Sequence, residues 1–172
     1  MRVLPERDHD QALIRLVHLD AFRRPEAPDD EPPEVALVEE LRTSDAWIPA
    51  LSLVAVTGSE VIGHVCTTRG LIDKEPVLAL GPIGVLVAHQ GRGVGSALVR
   101  ETLRLSESLG EALIALLGSN AYYSRFGFEP SIRHGIEPPD SGWGHHFQVK
   151  FLGRQRGSIT GTFRYPPLFD AV

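Results

Sequence analysis

The sequence contains a single cysteine among its 172 residues. Intrachain disulfides are therefore impossible, and a structural zinc site built from several cysteines is excluded. Cys66 falls within a β-rich run, residues 61–67, where a lone cysteine behaves as a small apolar residue. We interpret Cys66 as part of the hydrophobic core and not as a nucleophile.

Long apolar runs and an excess of basic residues are also missing. No stretch approaches the roughly 20 consecutive apolar residues of a membrane-spanning helix, and the charged residues 1–7 lack the apolar core of a secretory signal. A net charge of −5 and a pI near 5.8 provide no basic field for nucleic acid. These features predict a soluble, cytoplasmic protein that binds neither nucleic acid nor membrane, and its length fits one domain, residues 1–172.

The apolar spacing predicts a chain that mixes strands and helices. Helices are expected over residues 10–22 and 34–42, the second of them opened by Pro33. Two β-rich runs, residues 51–57 and 61–68, flank a Gly-Ser-Glu turn and predict an antiparallel hairpin. The same reasoning predicts strands at residues 2–4, 76–87, 113–117 and 147–152, a helix from Val94 to a stop at Gly110, and a short helix over residues 121–125.

The strongest chemical signal is the run Gln90-Gly91-Arg92-Gly93-Val94-Gly95, which lies between a predicted strand and a predicted helix. Glycines let the backbone turn tightly and approach a ligand closely, and free N–H groups at a helix N-terminus attract anions. The run therefore predicts a phosphate-binding turn with Arg92 at its rim. The alternative is a strand-to-helix turn that needs only the flexibility of glycine.

The spacing of these glycines excludes two common nucleotide sites. A dinucleotide fold requires G-x-G-x-x-G, whereas this chain has G-x-G-x-G with Ser96 in the place of the third glycine. A P-loop requires Gly-Lys-Ser or Gly-Lys-Thr, and the sequence contains neither string. The Gly-x-Ser-x-Gly elbow of a serine hydrolase is absent as well.

Two separate motifs occur in order along the chain. The first is Gln90-x-x-Gly93-x-Gly95 after an apolar strand, and the second is Tyr-x-x-x-Gly-Phe within Tyr122 to Phe128. Together they resemble motif A and the Tyr-x-x-x-Gly-Phe element of the GNAT N-acetyltransferase superfamily. The wider run from Leu80 to Pro130, with Tyr165-Pro166-Pro167 near the end, resembles the YhbS-like branch of predicted acetyltransferases, over about two-thirds of the chain. One departure is Gly118-Ser119-Asn120, where that branch often has Gly-His-Pro.

The resemblance implies an α/β (α+β) fold with a mixed, mostly antiparallel sheet flanked by helices. Its fourth and fifth strands, here residues 76–87 and 113–117, splay apart, and the pantetheine arm of acetyl-CoA lies in the gap against the backbone near Val85. The pyrophosphate takes N–H bonds from the glycine turn. The implied cofactor-binding residues are Val85, Leu86, Val87, Gln90, Gly91, Arg92, Gly93, Val94, Gly95, Ser96 and Asn120.

The same resemblance implies direct attack of an amine on the thioester, with no covalent enzyme intermediate. A backbone N–H near Val85 or Leu86 would stabilise the oxyanion, and Tyr123 would protonate the departing thiolate, since a phenol is protonated at neutral pH. On the residues alone, Tyr122 and Tyr123 are equally explained as packed aromatics. A non-catalytic acyl-CoA-binding sensor is the alternative function, because cofactor motifs indicate binding alone.

The acceptor is expected to be a small-molecule or peptide amine. In this fold the segments corresponding to residues 22–33 and 131–144 line the acceptor site, and their acidic character favours a cationic amine. The first segment carries Glu26, Asp29, Asp30 and Glu31, and the second carries Glu137, Asp140 and Trp143. Glu39, Glu40 and His134 are candidate bases that the sequence does not separate.

Two further expectations concern metal binding and assembly. No metal is expected, because His145 and His146 would point to opposite faces of a strand and therefore could not readily coordinate the same ion. Exposed strand edges at residues 147–152 or 159–165 would allow two copies to pair as a homodimer.

Overall fold

In residues 1–153 and 159–171, which the computed structural model describes, the chain forms nine strands and four α-helices. The strands are β1 (Arg2–Pro5), β2 (Leu53–Thr57), β3 (Glu60–Ile72), β4 (Glu75–Val85), β5 (Leu113–Leu117), β6 (Glu129–Pro130), β7 (Ile136–Glu137), β8 (Phe147–Phe151) and β9 (Gly161–Arg164). The helices are α1 (Gln11–Ala21), α2 (Pro33–Arg42), α3 (Val94–Ser108) and α4 (Asn120–Tyr123). None of the helices in this part of the chain has the length and apolar character needed to cross a bilayer.

The sheet is mixed, with strand order β1-β2-β3-β4-β5-β8-β6, and β9 pairs with both β3 and β7. All neighbours along the main order are antiparallel except β4 and β5, which are parallel. Only two positions join β4 to β5, Leu78 with Ile114 and Ala79 with Ala115. Since β4 continues unpaired on that side to Val85, the two strands splay apart, and the predicted fold class is confirmed.

Helices cover both faces of the sheet because alternate strand residues are apolar on each side. On one face α3 buries Val94 and Leu98 against Leu53. On the other face α1 and α2 pack in a cluster that contains the fully buried Cys66. Burial raises the pKa of the Cys66 thiol, and its Sγ lies 3.3 Å from the carbonyl oxygen of Gly81. Cys66 is therefore a core residue, as the sequence predicts.

A cluster of buried polar side chains joins the first two helices to the sheet. It consists of Glu6, His18, Arg42, Ser52 and His64, and we call it the Glu6 cluster. His18 Nε2 lies 2.8 Å from His64 Nδ1, and His64 Nε2 lies 3.2 Å from Glu6 Oε2 and 3.0 Å from Ser52 Oγ. Arg42 Nε donates to Glu6 Oε1 at 2.7 Å. These bonds connect β1, α1, α2 and β3 through one network.

The carboxylate of Glu6 determines which histidine nitrogens carry protons. Burial alone would raise the pKa of Glu6, but hydrogen bonds from His64, Arg42 and Ser52 outweigh it and lower this pKa to about 2. Because an ionised carboxylate only accepts, His64 Nε2 carries hydrogen and its Nδ1 accepts from His18 Nε2. His18 Nδ1 is then a buried lone pair with no hydrogen-bond partner among the described residues.

The structure corrects three local expectations. First, β4 ends at Val85, and a 3-10 turn (Val87–His89) follows it. Second, His145 and His146 lie in a 3-10 turn (Ser141–His146) and not on a strand. Third, β8 lies between β5 and β6, so the edge expected at residues 147–152 is covered at Gln148 and Val149. The edge expected at residues 159–165 stays a prediction, because each residue of β9 is paired on one side, with β7 at Gly161 and Thr162 and with β3 at Phe163 and Arg164.

Candidate active site

The predicted phosphate turn links the end of β4 to the start of α3. Gly91 has φ +70° and Gly93 has φ +84°, a left-handed conformation that favours glycine over other residues. A Cβ built at either position meets nothing within 4 Å. The first-turn N–H groups of α3, beginning at Val94, have no acceptors within the helix and carry its positive end. The turn is therefore an open cradle that fits an anion such as a pyrophosphate.

This cradle opens into a cleft of about 500 Å³ between the end of β4, the end of α1 and α4. The cleft contains most of the predicted cofactor residues, together with the predicted catalytic tyrosine. Its walls are Ala21, Phe22, Ile83, Gly84, Val85, His89, Gln90, Gly91, Gly93, Val94, Gly95, Ser96, Tyr122, Tyr123 and Arg125. Leu86, Val87, Arg92 and Asn120 were also predicted from the sequence but do not line it.

The backbone of β4 explains why the N–H groups of Val85 and Leu86 point in different directions. The Leu86 N–H donates to the Ile62 carbonyl at 3.0 Å, and the Val87 N–H donates to the Asp20 carboxylate at 2.7 Å. Successive N–H groups of a strand point to opposite sides, so the Val85 N–H points away from β3 and toward the cleft. Gln90 Nε2 donates to the Val85 carbonyl at 3.1 Å from the same side. Of the two N–H groups expected to serve an oxyanion, only that of Val85 faces the cleft.

Tyr123 is held rigidly at the base of the cleft by α4. Its ring packs edge-on against Tyr122 and Phe128, at centroid distances of 4.9 and 5.8 Å, and only 8% of the residue is exposed. Burial, with a smaller contribution from Tyr122, raises the pKa of the Tyr123 hydroxyl to about 12. The hydroxyl is therefore protonated throughout the neutral and mildly alkaline range.

Gly118, just after β5, sets the position of the Tyr123 ring. A Cβ at this residue would overlap Cε2 of Tyr123 and lie 3.0 Å from Cδ2. We expect Gly118→Ala to lower kcat about tenfold by displacing the ring, with little change in the Kd for acetyl-CoA. Steady-state kinetics and calorimetry of the purified variant measure the two quantities, and an unchanged kcat would contradict this positioning role.

Asn120 faces a different part of the molecule. Its Nδ2 lies 3.4 Å from Oε1 of the buried Gln148, whose Nε2 donates to the Gly118 carbonyl at 3.0 Å. Asn120 also lines a separate cavity of about 800 Å³, beside Ser124 and Lys150. These contacts place Asn120 in the support of the turn that carries Gly118.

A larger cavity of about 940 Å³ adjoins the cleft. Phe22, Ile83 and Tyr123 line both spaces, so the two cavities share this wall. The remaining walls come from α2, β4, the end of β5 with the turn after it, residues 139–143 and the C-terminal region: Glu34, Leu37, Leu80, Gly81, Pro82, Leu117, Gly118, Ser119, Pro139, Asp140, Trp143, Arg164, Tyr165, Pro167 and Phe169. An acceptor entering this cavity would approach the cleft beside Tyr123.

The predicted acceptor segments contribute in part. Residues 22–33 supply Phe22, and residues 131–144 supply Pro139, Asp140 and Trp143. The predicted acids that lie outside both cavities are Glu26, Asp29, Asp30, Glu31 and Glu137. Glu34 lines the larger cavity and is not among the sequence predictions, because an acid in the first turn of a helix is already explained by the helix dipole.

The candidate bases and the histidine pair lie elsewhere. Glu39 pairs with Arg15 at 2.9 Å, and His134 pairs with Glu129 at 2.8 Å. These residues and Glu40 line neither the cleft nor the larger cavity. Across residues 1–153 and 159–171, no group of three or more His, Cys, Asp or Glu side chains is arranged to hold a metal ion.

The sequence is related to known proteins in the region that builds the cleft. The profile of the Acetyltransferase (GNAT) family matches residues 16–128. The chain is 32% identical over 141 residues to the uncharacterised N-acetyltransferase YhbS of Escherichia coli K12, covering 80% of this chain and 83% of that protein. It is 36% identical over 101 residues to the uncharacterised N-acetyltransferase YjhQ of the same strain, a match that spans only 56% of each chain.

Two solved structures share the fold over nearly the whole chain. The E. coli GNAT family N-acetyltransferase YhbS, crystallised with CoA, superposes with a TM-score of 0.88 at 28% identity and covers 98% of this chain and 91% of its own. A GNAT family acetyltransferase from Brucella melitensis, crystallised with acetyl-CoA, gives 0.79 at 33% identity and covers 98% and 97%. The resemblance in the sequence motifs is thus confirmed, and the chain belongs to the Acetyltransferase (GNAT) family.

Proposed function

We propose that the chain transfers the acetyl group of acetyl-CoA to an amine where its two cavities meet. The observation that carries this proposal is the shared wall of Phe22, Ile83 and Tyr123, which joins an anion cradle on one side to a large empty space on the other. Family membership makes acyl transfer from acetyl-CoA the reaction class of the chain. The CoA and acetyl-CoA complexes of its structural relatives support the choice of substrate.

The residues of the cleft divide the binding of acetyl-CoA between them. The glycine turn, Gln90 to Ser96, receives the pyrophosphate through backbone N–H groups. The free side of β4 at Ile83 and Val85 receives the pantetheine arm as an added strand, because β5 has already diverged there. Leu86, Val87, Arg92 and Asn120 remain predicted contributors.

The chemical step needs one bond made, one bond broken and several proton transfers. The ammonium form of the acceptor first gives one proton to solvent; the neutral amine then attacks the thioester carbon, the C–N bond forms, and the C–S bond breaks. The Val85 N–H, which faces the cleft, stabilises the oxyanion, and the Tyr123 hydroxyl gives its proton to the leaving thiolate. The amine loses a proton to solvent in the larger cavity, and a proton from solvent restores Tyr123.

The acceptor class follows from the larger cavity. We propose a small-molecule or peptide amine that carries positive charge in solution, since Glu34 and Asp140 are the acids on the cavity wall. We also propose a cytoplasmic location, which suits a chain whose lone cysteine is a buried thiol. A homodimer stays a prediction.

The proposed function is tested by titrating the purified protein with acetyl-CoA and then measuring thiol release with pooled primary amines. Binding followed by amine-dependent thiol release supports the transferase. Binding without release across the pool supports the acyl-CoA sensor instead. No binding of acetyl-CoA or of longer acyl-CoA thioesters overturns the cofactor assignment.

Substituting the cradle should abolish cofactor binding selectively. We expect Gly93→Glu to weaken acetyl-CoA binding at least tenfold, because a carboxylate would lie beside the pyrophosphate in a strained backbone. Gly110→Glu is the matched control, since Gly110 also has positive φ (+77°) and open space around its Cβ but follows the other end of α3. Equal losses of binding in the two variants would mean that strain, not the cradle, is responsible.

A further inference from the structure

The larger cavity has a rigid aromatic wall formed by Trp143, Tyr165 and Phe169. The Tyr165 ring stacks on Phe169 at 4.6 Å and meets Trp143 at 6.2 Å and the buried Phe163 at 4.9 Å. Rings fixed in this way offer apolar area with little loss of side-chain entropy on binding. With a volume of about 940 Å³, the cavity has the size of pockets that enclose a small organic ligand.

One wall of this cavity carries Glu34, one of whose carboxylate oxygens has no hydrogen-bond donor in the part of the chain that the structure describes. Glu34 lies in the first turn of α2, and its Oε2 is buried without a hydrogen-bond donor among the described residues. A buried carboxylate oxygen is costly unless a cation or a donor meets it. Glu34 therefore places on this wall a carboxylate whose charge a cationic group of a ligand in the cavity would compensate.

The other charged groups on the wall argue against a ligand with several positive charges. Asp140 is exposed, and its carboxylate already accepts the Gly142 N–H at 2.7 Å. Arg164, whose guanidinium donates to the Asp73 carbonyl at 2.8 Å, also belongs to the cavity wall and adds a positive charge that disfavours a second cation. Apart from these groups, the wall is mainly aliphatic and aromatic.

From these features we infer that the acceptor is a primary amine carried on an aromatic or similarly flat apolar body. Its ring lies against the aromatic wall, and its ammonium group meets Glu34 as it enters. This inference rests on the proposed function and narrows its acceptor from cationic amines in general to apolar monoamines. Polyamines and basic peptides fit the cavity less well, because their additional charges find apolar walls and Arg164.

The test measures binding and turnover with defined amines. Calorimetry of the CoA-saturated protein compares 2-phenylethylamine and tryptamine with ethylamine, spermidine and a lysine-rich peptide, and thiol release with acetyl-CoA gives kcat/KM for each. We expect the two aryl amines to bind at least tenfold more tightly than the others and to show the highest kcat/KM. Preference for spermidine or the peptide, or no binding of the aryl amines, overturns the inference.

Substitutions of Glu34 and Trp143 test whether these wall residues produce the preference for aryl amines. We expect Glu34→Gln and Trp143→Ala each to raise KM for 2-phenylethylamine about tenfold with little change in the Kd for acetyl-CoA, and Trp143→Phe to restore most of the loss. Glu137→Gln is the matched control, because this exposed acid lies outside the cavity. Unchanged KM in Glu34→Gln and Trp143→Ala overturns the inference. If acetyl-CoA itself fails to bind, the proposed function fails; if it binds and only other amines react, only this inference fails.

Discussion

Replacing Tyr123 with phenylalanine should lower kcat by about 10²- to 10³-fold while leaving the Kd for acetyl-CoA nearly unchanged. The variant keeps the ring that packs against Tyr122 and Phe128 and removes only the hydroxyl. Without that hydroxyl the departing thiolate must find its proton in bulk water. The comparison requires kcat from thiol release and the Kd from calorimetry on the same preparations.

The pH profile provides a second measurement on the same residue. Because the Tyr123 pKa is raised to about 12, its hydroxyl remains protonated well above neutral pH. We therefore expect no loss of kcat attributable to Tyr123 between about pH 7 and pH 10.

Tyr122→Phe is the companion variant to Tyr123→Phe. The Tyr122 hydroxyl lies 3.4 Å from Ser96 Oγ in the cleft, so its removal should affect acetyl-CoA binding more than kcat. Full kcat in Tyr123→Phe would exclude the tyrosine as proton donor.

The cradle could be predicted from the sequence because its conformation depends only on residues that are neighbours in the chain. Gly91 and Gly93 adopt positive φ, which few other residues tolerate, and α3 begins at the next residue. The position of Tyr123 was predictable for a different reason, since it rests on the spacing between two motifs and not on one. The splay of β4 and β5 is implied by the resemblance to the family and not by the apolar pattern of the two strands, which indicates only that they are buried.

The rest of the site depends on contacts between distant segments. The larger cavity is built by α2, β4, the turn after β5 and the C-terminal region, and no periodicity brings Glu34 and Tyr165 together. The apolar pattern places the end of β4 too late, because Leu86 and Val87 continue the apolar run although the Val87 N–H leaves the sheet and donates to the Asp20 carboxylate. A side chain such as Asn120 carries no signal for the direction it will face.

The Glu6 cluster was equally invisible in the sequence. His18 falls on a helix and His64 on a strand, and each resembles an ordinary polar interruption of an apolar pattern. Their pairing requires α1 to pack on β3, although the two histidines are 46 positions apart in the sequence. Gly84 is needed for this packing, because a Cβ there would lie 3.3 Å from His18 Nδ1 and 3.3 Å from the Ala21 Cβ. The glycine at this point of the strand thus leaves room for the imidazole of His18.

Lowering the pH should destabilise the protein through this cluster before Glu6 titrates. Burial, assisted by the charge of Arg42 and by His64, lowers the pKa of His18 from 6.5 to about 3, and burial also lowers the pKa of His64. Below about pH 6.5 the unfolded chain therefore binds protons that the folded protein does not bind. The free energy of unfolding is greatest above this pH and falls toward pH 3. The Glu6 pKa of about 2 adds a further loss only below about pH 4.5.

The size of the effect can be assigned to His18 by substitution. Between about pH 7.5 and pH 4, the free energy of unfolding should fall by on the order of 3 kcal/mol more in wild type than in His18→Leu, because His18 binds a proton in the unfolded chain and not in the folded protein. At the higher pH the variant should be the less stable protein, by about 1–3 kcal/mol, because His64 Nδ1 loses its donor. Urea unfolding at both pH values measures these differences, with His146→Leu as the exposed control. Parallel pH dependence in wild type and His18→Leu would show that His18 is not the group whose protonation opposes folding.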